Sequence, residues 1–300
     1  MPQSLPIYTV DAFTDKVFTG NPAAVCPLEE PLSDKLCQSI AFELNLSETS
    51  FITKVEGGGG FATGNRFGLR WFTPTTEVPL CGHATLSAAH ILFNEYKNSS
   101  PVITFDSLSG ELRCANVGDG TIQLDFPEWK IKKLEDSEII FYEPLVKDAI
   151  GDLPLSALWY AYESKKLIIV VDEKVDRYIF ESLKPNVDRL FKFDPTGEHV
   201  VGVCITMKGA MTNGNVDEKG HVYDFVSRYF GPWNGIAEDP VTGSMHCGLT
   251  PLWSKVLGKK LMYGRQSSPR GGVLTVEIRD DGRVYLRGKA LTVISGRIAV

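Results

Sequence analysis

Apolar residues along this chain come in short runs, many alternating with polar positions and bounded by turn residues. Short runs rich in β-branched and aromatic residues, punctuated by turns such as Asp119-Gly120 and Asp281-Gly282, predict strands at residues 7–12, 49–53, 66–72, 102–105, 111–115, 121–125, 167–171, 200–206, 222–227, 273–278, 283–287 and 291–298. Two segments break the rhythm. In residues 83–95, Ala84, Leu86, Ala88, Ala89, Ile91, Leu92 and Phe93 would cover every face of a helix, as would Met245, Cys247, Leu249, Leu252, Trp253, Val256 and Leu257 in residues 244–257. A helix apolar all round is a buried one. Gly258 supplies a stop for the second, and Pro251 inside it predicts a kink or an interruption. A third helix, residues 33–44, carries an amphipathic stripe of Leu36, Ile40 and Leu44 behind Ser33 as N-cap. The expected architecture is a curled sheet around one buried helix, formed twice. The glycine run at residues 57–60 reads as a hairpin loop, because a strand rather than a helix follows it. Residues 125–156, with Pro127, Pro144 and Pro154, hold the crossing from one half to the other.

The halves are visible as an internal repeat. Arg70-Trp71-Phe72-Thr73-Pro74 recurs as Arg228-Tyr229-Phe230-Gly231-Pro232. Glu77-Val78-Pro79-Leu80-Cys81-Gly82 recurs as Glu238-Asp239-Pro240-Val241-Thr242-Gly243, 161 residues on. Asp119-Gly120-Thr121-Ile122-Gln123-Leu124 recurs as Asp281-Gly282-Arg283-Val284-Tyr285-Leu286, at an offset of 162. A nearly constant spacing across separate motifs implies duplication, and a polar site at the junction of the halves would have pseudo-twofold symmetry.

Composition narrows the class without naming a chemistry. With 43% hydrophobic and 23% charged residues, the 300-residue chain reads as an ordinary globular protein of about two domains. A net charge of -6 and the lack of a basic stripe argue against nucleic-acid binding. The N-terminus lacks a signal-peptide pattern, and no apolar run is long enough to span a membrane, so a cytoplasmic protein is expected. Six scattered cysteines fit thiols in a reducing compartment, and the Cys and His spacing suits no zinc site, so no metal is expected.

Candidate chemistry gathers at the repeat. Gly82-His83-Ala84 and Gly243-Ser244-Met245 open the two buried helices, whose free N–H groups attract carboxylates and phosphates. If the halves face each other, both helix starts can serve one small anion. The repeat is broken at informative places: Cys81 against Thr242, His83 against Ser244, and Val78 against Asp239. The matched pair Glu77 and Glu238 points to the shared fold, whereas the unmatched Asp239 marks added function. Glu48, in a turn between helix and strand, reads from its residues alone as a surface charge.

Taken together, Val10-Asp11-Ala12-Phe13, Gly20-Asn21-Pro22-Ala23-Ala24-Val25, Asn45-Leu46-Ser47-Glu48-Thr49, Cys81-Gly82-His83-Ala84-Thr85 and Glu238-Asp239-Pro240-Val241-Thr242-Gly243-Ser244 resemble the PhzF family of phenazine-biosynthesis-like proteins, most closely its animal members. The resemblance implies an α+β, diaminopimelate-epimerase-like fold: two pseudo-symmetric β-barrel-like domains, each around a central helix, with the site in the cleft between them. The last strand returns to the first domain in that fold, which places the domains at residues 1–127 plus about 289–300, and at 128–288. It also implies a homodimer and a cofactor-free isomerase that moves a proton on a small cyclic carboxylate. Glu48 matches the family's general acid/base, and His83, Asp239 and Ser244 match residues that orient the substrate and assist. Cys81, Gly82, Ala84, Thr242, Gly243 and Met245 surround them as candidate anion-binding positions.

A carboxyl group can play that part if its site raises its pKa toward working pH. Racemases and epimerases of this fold use a cysteine before each helix-start glycine. Here Thr242 replaces one of them, which disfavours two-thiol epimerisation. Gly-His-Ala departs from the Gly-His-Pro form associated with phenazine-pathway enzymes, so the substrate is expected to differ. The animal resemblance implies an alternative of another class, a protein-interaction module that binds a WD-repeat partner.

Overall fold

A computed structural model of the chain describes residues 4–300. The chain forms two compact units, Met1–Phe126 with Tyr285–Val300, and Pro127–Val284.

In the first unit, β1 (Ser4–Ala12) and β2 (Asn21–Leu28) pair antiparallel. The turn into β2 needs glycine at position 20: its φ is +70°, and a Cβ there would lie 2.3 Å from the Ala12 carbonyl oxygen. Helix α1 (Asp34–Leu44) then carries the chain to β3 (Thr49–Lys54), which lies parallel to β2. Such a pair cannot be joined by a tight turn. Ser33 caps α1 by accepting the Leu36 N–H at 3.3 Å, and Ile40 faces a buried cluster flanked by Leu36 and Leu44. A hairpin through residues 57–60 leads to β4 (Arg66–Phe72), whose Phe67, Leu69 and Trp71 alternate inward. The short β5 (Glu77–Val78) pairs with β4 and delivers the chain to α2 (Gly82–His90). Strand β6 (Val102–Ser107) runs parallel to β4, β7 (Gly110–Asn116) antiparallel to β6, and β8 (Ile122–Pro127) antiparallel to β7. The other edge of β1 is taken by Ala290–Ala299, antiparallel, with Ser4 opposite Ala299. Every residue of α2 is buried.

The second unit opens with β9 (Ile131–Lys133) and α3 (Asp136–Ile150), then β10 (Leu155–Ala161) and β11 (Lys166–Val171). Helices α4 (Arg177–Ser182) and α5 (Val187–Phe193) lead to β12 (Gly202–Lys208). Next come β13 (Phe225–Gly231), β14 (Ile236–Asp239), α6 (Gly243–Leu257), β15 (Leu261–Gln266) and β16 (Gly272–Ile278). From β10 onward the pairings repeat those that start at β1, in order and in sense. β10–β11 is antiparallel, β11–β12 parallel, β12–β13 and β13–β14 antiparallel, β13–β15 parallel and β15–β16 antiparallel. The duplication read in the sequence is therefore a duplication of topology.

The repeated Arg and Glu explain themselves in this frame. Arg70 on β4 grips Glu77 on β5 with two bonds, Nε–Oε1 at 2.7 Å and Nη2–Oε2 at 2.8 Å. Arg228 on β13 grips Glu238 on β14 through the same atoms at the same distances. Each bidentate pair clips a short strand to its neighbour just before a buried helix begins.

Several expectations need correction. The helix expected over residues 83–95 ends at His90 and continues as one wide π turn, Ile91–Glu95, in which the Tyr96 N–H reaches the Ile91 carbonyl five residues back. Pro251 does not interrupt α6. It lacks an N–H for the Cys247 carbonyl, and that carbonyl accepts the Trp129 N–H at 3.1 Å instead. The strand expected at 222–227 starts at Phe225 and runs to Gly231, so the Arg-aromatic-Phe motif lies within a strand in both units. Helices α3, α4 and α5 were not expected. Pro144 lies inside α3, and its capping box uses Glu135 and Glu138 rather than Ser or Thr. Strands β2, β10 and β15 were also not expected; Pro22 and Pro27 mask the first of them. Among the described residues no helix is long and apolar enough to cross a membrane. All six cysteines are free and buried.

Candidate active site

The first unit gathers Glu48, Cys81 and His83 into one buried cluster. Helix α1 stops where Asn45 takes a left-handed conformation, its N–H bonded to the Ala41 carbonyl. The next three residues turn the chain into β3. The Glu48 carbonyl accepts the Ala24 N–H at 3.0 Å, and the Ser47 hydroxyl donates to the Pro22 carbonyl at 3.2 Å. The Gly20–Val25 motif thus fixes the backbone that presents Glu48. Its side chain turns inward and is not the surface charge that its sequence neighbours suggest.

His83 enters from the first turn of α2. Its Nε2 lies 3.1 Å from Glu48 Oε2 and 3.2 Å from Ser47 Oγ, and its Nδ1 lies 3.4 Å from Cys81 Sγ. The contact with Glu48 is an ion pair by distance without hydrogen-bond alignment, so Oε2 has no aligned donor. The proton on Ser47 is committed to Pro22, so Ser47 Oγ can only accept from His83, which places a hydrogen on Nε2.

The electrostatics follow from burial and these partners. Burial pushes the Glu48 carboxyl up, but the adjacent His83 charge and the polar groups around the carboxylate outweigh it and hold the group below the usual carboxylate value. Burial pushes His83 down, and contact with Cys81 and Glu48 lifts it well above the usual histidine value. Burial, and then the Glu48 charge, push the Cys81 thiol up to about 11, so it is neutral near pH 7. The condition of a raised Glu48 pKa is therefore not met in the resting site. The cluster stands as a carboxylate, an imidazolium and a thiol, and the carboxylate is ready as a base. Donor atoms of Glu48, Cys81 and His83 lie within 4.8 Å of one another, close enough to hold a metal ion. A metal would first have to displace the protons on the thiol and the ring.

The second unit places Asp239 at the end of β14 and Thr242 at the N-cap of α6, both buried. Thr242 Oγ1 donates to Asp239 Oδ2 at 2.5 Å. Ser244 lies half-buried in the first turn of α6, whereas the Met245 side chain is fully buried, leaving its backbone as the part that could serve a ligand. Neither Cys81 nor Thr242 caps its own helix with its side chain, so the amides of Gly82, His83 and Ala84, and of Gly243, Ser244 and Met245, open the helices without a side-chain acceptor from the cap.

Two residues escaped the sequence reading. Ser47 stood inside a quoted motif but had no signal of its own. Gln266, at the end of β15, bonds both Asp239 and Thr242, and the sequence around it predicted no strand.

Comparison with known proteins places this architecture. The PhzC-PhzF family model, "Phenazine biosynthesis-like protein", matches residues 10–296. The human phenazine biosynthesis-like domain-containing protein is 45% identical over 294 residues, 98% of this chain and 99% of its own. A protein of Halalkalibacterium halodurans named as an uncharacterized isomerase is 39% identical over 294 residues, 98% of each chain. The crystal structure of a PhzF-family phenazine biosynthesis protein from Enterococcus faecalis superposes with a TM-score of 0.82 at 35% identity, covering 99% of this chain and 100% of that one. A hydroxyproline epimerase from Agrobacterium vitis, 13% identical with a TM-score of 0.59 over 100% of this chain and 94% of its own, shares the fold alone. The α+β, diaminopimelate-epimerase-like fold is thus established, and the chain belongs to the PhzC-PhzF family of phenazine biosynthesis-like proteins.

Proposed function

We propose that the protein is a PhzF-like isomerase that moves a proton between carbons of a small carboxylate, with Glu48 taking and returning the proton. The observation that carries this reading is the buried contact of 3.1 Å between Glu48 and His83. A carboxylate out of bulk water, held ionised by an adjacent imidazolium, is a base whose charge is not spent on solvent. Proton transfer from a substrate carbon to Glu48 leaves the electron pair in the substrate's adjacent π system. Glu48, now a carboxylic acid, returns the proton at a second carbon, and the π bond shifts. Atoms and electrons balance within substrate and Glu48, so the step calls for no oxidant or reductant. His83 stabilises the carboxylate at the start and the end of the cycle. Helix-start amides, Gly82–Ala84 in the first unit and Gly243–Met245 in the second, are each of a kind that suits a carboxylate, and the reading takes Asp239 and Ser244 as groups that orient the substrate and assist the proton transfer.

The reading is also supported by what the site lacks for the rival chemistry. The residue matching Cys81 in the second unit is Thr242, and Cys81 itself is a neutral thiol. The test is solvent exchange: a panel of cyclic and amino carboxylates incubated in D₂O and followed by NMR. One or more should gain deuterium at carbon, and Glu48→Gln should abolish the gain. No exchange across the panel, or exchange unchanged in Glu48→Gln, would overturn the reading.

A further inference from the structure

Thr242 sits where a threonine ordinarily caps a helix by accepting an N–H from its first turn, yet its hydroxyl is turned away from α6. Gln266, almost fully buried, explains this. Its Oε1 accepts the Thr242 N–H at 2.8 Å, and its Nε2 donates to the Asp239 carbonyl at 2.7 Å. A backbone N–H can only donate and a carbonyl can only accept, so these two bonds fix which way the amide points. The same Nε2 also donates to Thr242 Oγ1 at 3.1 Å. That hydroxyl is then an acceptor toward Gln266, and its single proton goes to Asp239 Oδ2 at 2.5 Å. The Thr242 carbonyl is occupied as well, by the Nδ1–H of the buried His246 at 2.8 Å. Every polar atom of Thr242 is committed, and the direction of each bond follows from Gln266 and the backbone.

We propose that Gln266 is a positioning residue: acting through Thr242, it aims the Thr242 hydroxyl proton at Asp239 Oδ2, which anchors that carboxylate, and keeps Thr242 from capping α6. The catalytic meaning rests on the isomerase reading above; the hydrogen-bond chain does not. A carboxylate whose oxygen accepts a directed O–H is held in one rotamer, so the bond to Oδ2 fixes how Asp239 is presented. Gln266 touches no substrate in this scheme. It sets the rotor of the residue that sets Asp239.

The test has a spectroscopic arm that needs no substrate. In protein labelled at both threonine and serine, the residue-242 hydroxyl proton should appear as a slowly exchanging low-field resonance correlated with its own Cβ. Gln266→Leu should abolish that signal although Thr242 is unchanged, Thr242→Val should abolish it by removing the oxygen, and Thr242→Ser should keep it. The signal persisting in Gln266→Leu would overturn the proposal. In the exchange assay, Gln266→Leu and Thr242→Val should each lower kcat by about tenfold or more, the scale of a misplaced acid–base group, with KM changed less than about twofold. A rise in KM at constant kcat would also overturn it. Absence of exchange in the wild-type protein would count against the isomerase reading and leave the spectroscopic result to decide the proton-positioning claim.

Discussion

The two Arg–Glu clips have the same geometry and should differ widely in energetic weight. Consider Glu238→Gln beside Glu77→Gln, substitutions that keep shape and remove charge. The Arg228 side chain is 5% exposed and Glu238 17%, and Arg228 Nη1 also reaches the carbonyls of Phe180, Glu181 and Leu183. Removing the carboxylate leaves a guanidinium buried with only neutral partners, which costs about 3–5 kcal/mol. The amide still offers one acceptor, which argues for the lower end, about 3 kcal/mol. The Arg70 side chain is 35% exposed, meets water, and keeps an ion pair with Asp34 at 2.9 Å. Its loss of Glu77 should cost at most about 1 kcal/mol. Urea denaturation of both variants, with amide hydrogen exchange to assign the loss to one unit or the other, measures the difference. Glu238→Gln should loosen the second unit and Glu77→Gln should barely shift the first. Equal costs, or a larger cost for Glu77→Gln, would show that burial is not what separates the two pairs.

Three further outcomes follow from the same structure. Glu48 is held below its ordinary value of 4.5 and His83 above its ordinary 6.5, so the pair contributes fully between those pH values. Its contribution is lost as pH falls through the folded value of Glu48 and as pH rises through that of His83. The stability deficit of Glu48→Gln, from urea titrations across pH, should therefore peak in that window; a deficit still growing well above it would contradict the ion pair. Pro251→Ala restores an N–H that competes with Trp129 for the Cys247 carbonyl, so exchange of the Trp129 amide should quicken, and unchanged protection would refute the assigned partner. Cys81, raised to about 11 and buried, should alkylate in the native protein at pH 8 at least about 100-fold more slowly than after denaturation; labelling at the rate of a free thiol would show the site to be open.

Much of this fold is legible in the chain because its strands are short β-branched or aromatic runs between turns, and its two central helices are apolar on every face. Residues 66–72 and 244–257 announce themselves by pattern alone. The elements that escape do so for identifiable reasons. Strand β2 carries two prolines, and α3 carries one and begins on a glutamate cap. The functional cluster divides in the same way. His83 and Ser244 are marked by the repeat, and Asp239 by breaking it. Glu48 carries no local signal: it becomes a buried carboxylate because Ala24 and Pro22, more than twenty residues earlier, bind the backbone and the serine beside it. Gln266 shows the limit more sharply, since its role depends on which atom donates, and no spacing encodes that.

The strand Ala290–Ala299 closes the first unit against β1, and the whole second unit lies between them in the chain. During synthesis the first unit therefore waits. Its β1 edge stays open while Pro127–Val284 is made, although that segment is continuous and can fold as soon as it emerges. An open strand edge is a template for wrong partners. The vulnerable species in the life of this protein is thus a nascent chain with a finished second half and an unfinished first, and chaperone capture or misassembly should concentrate on β1 until its late partner arrives.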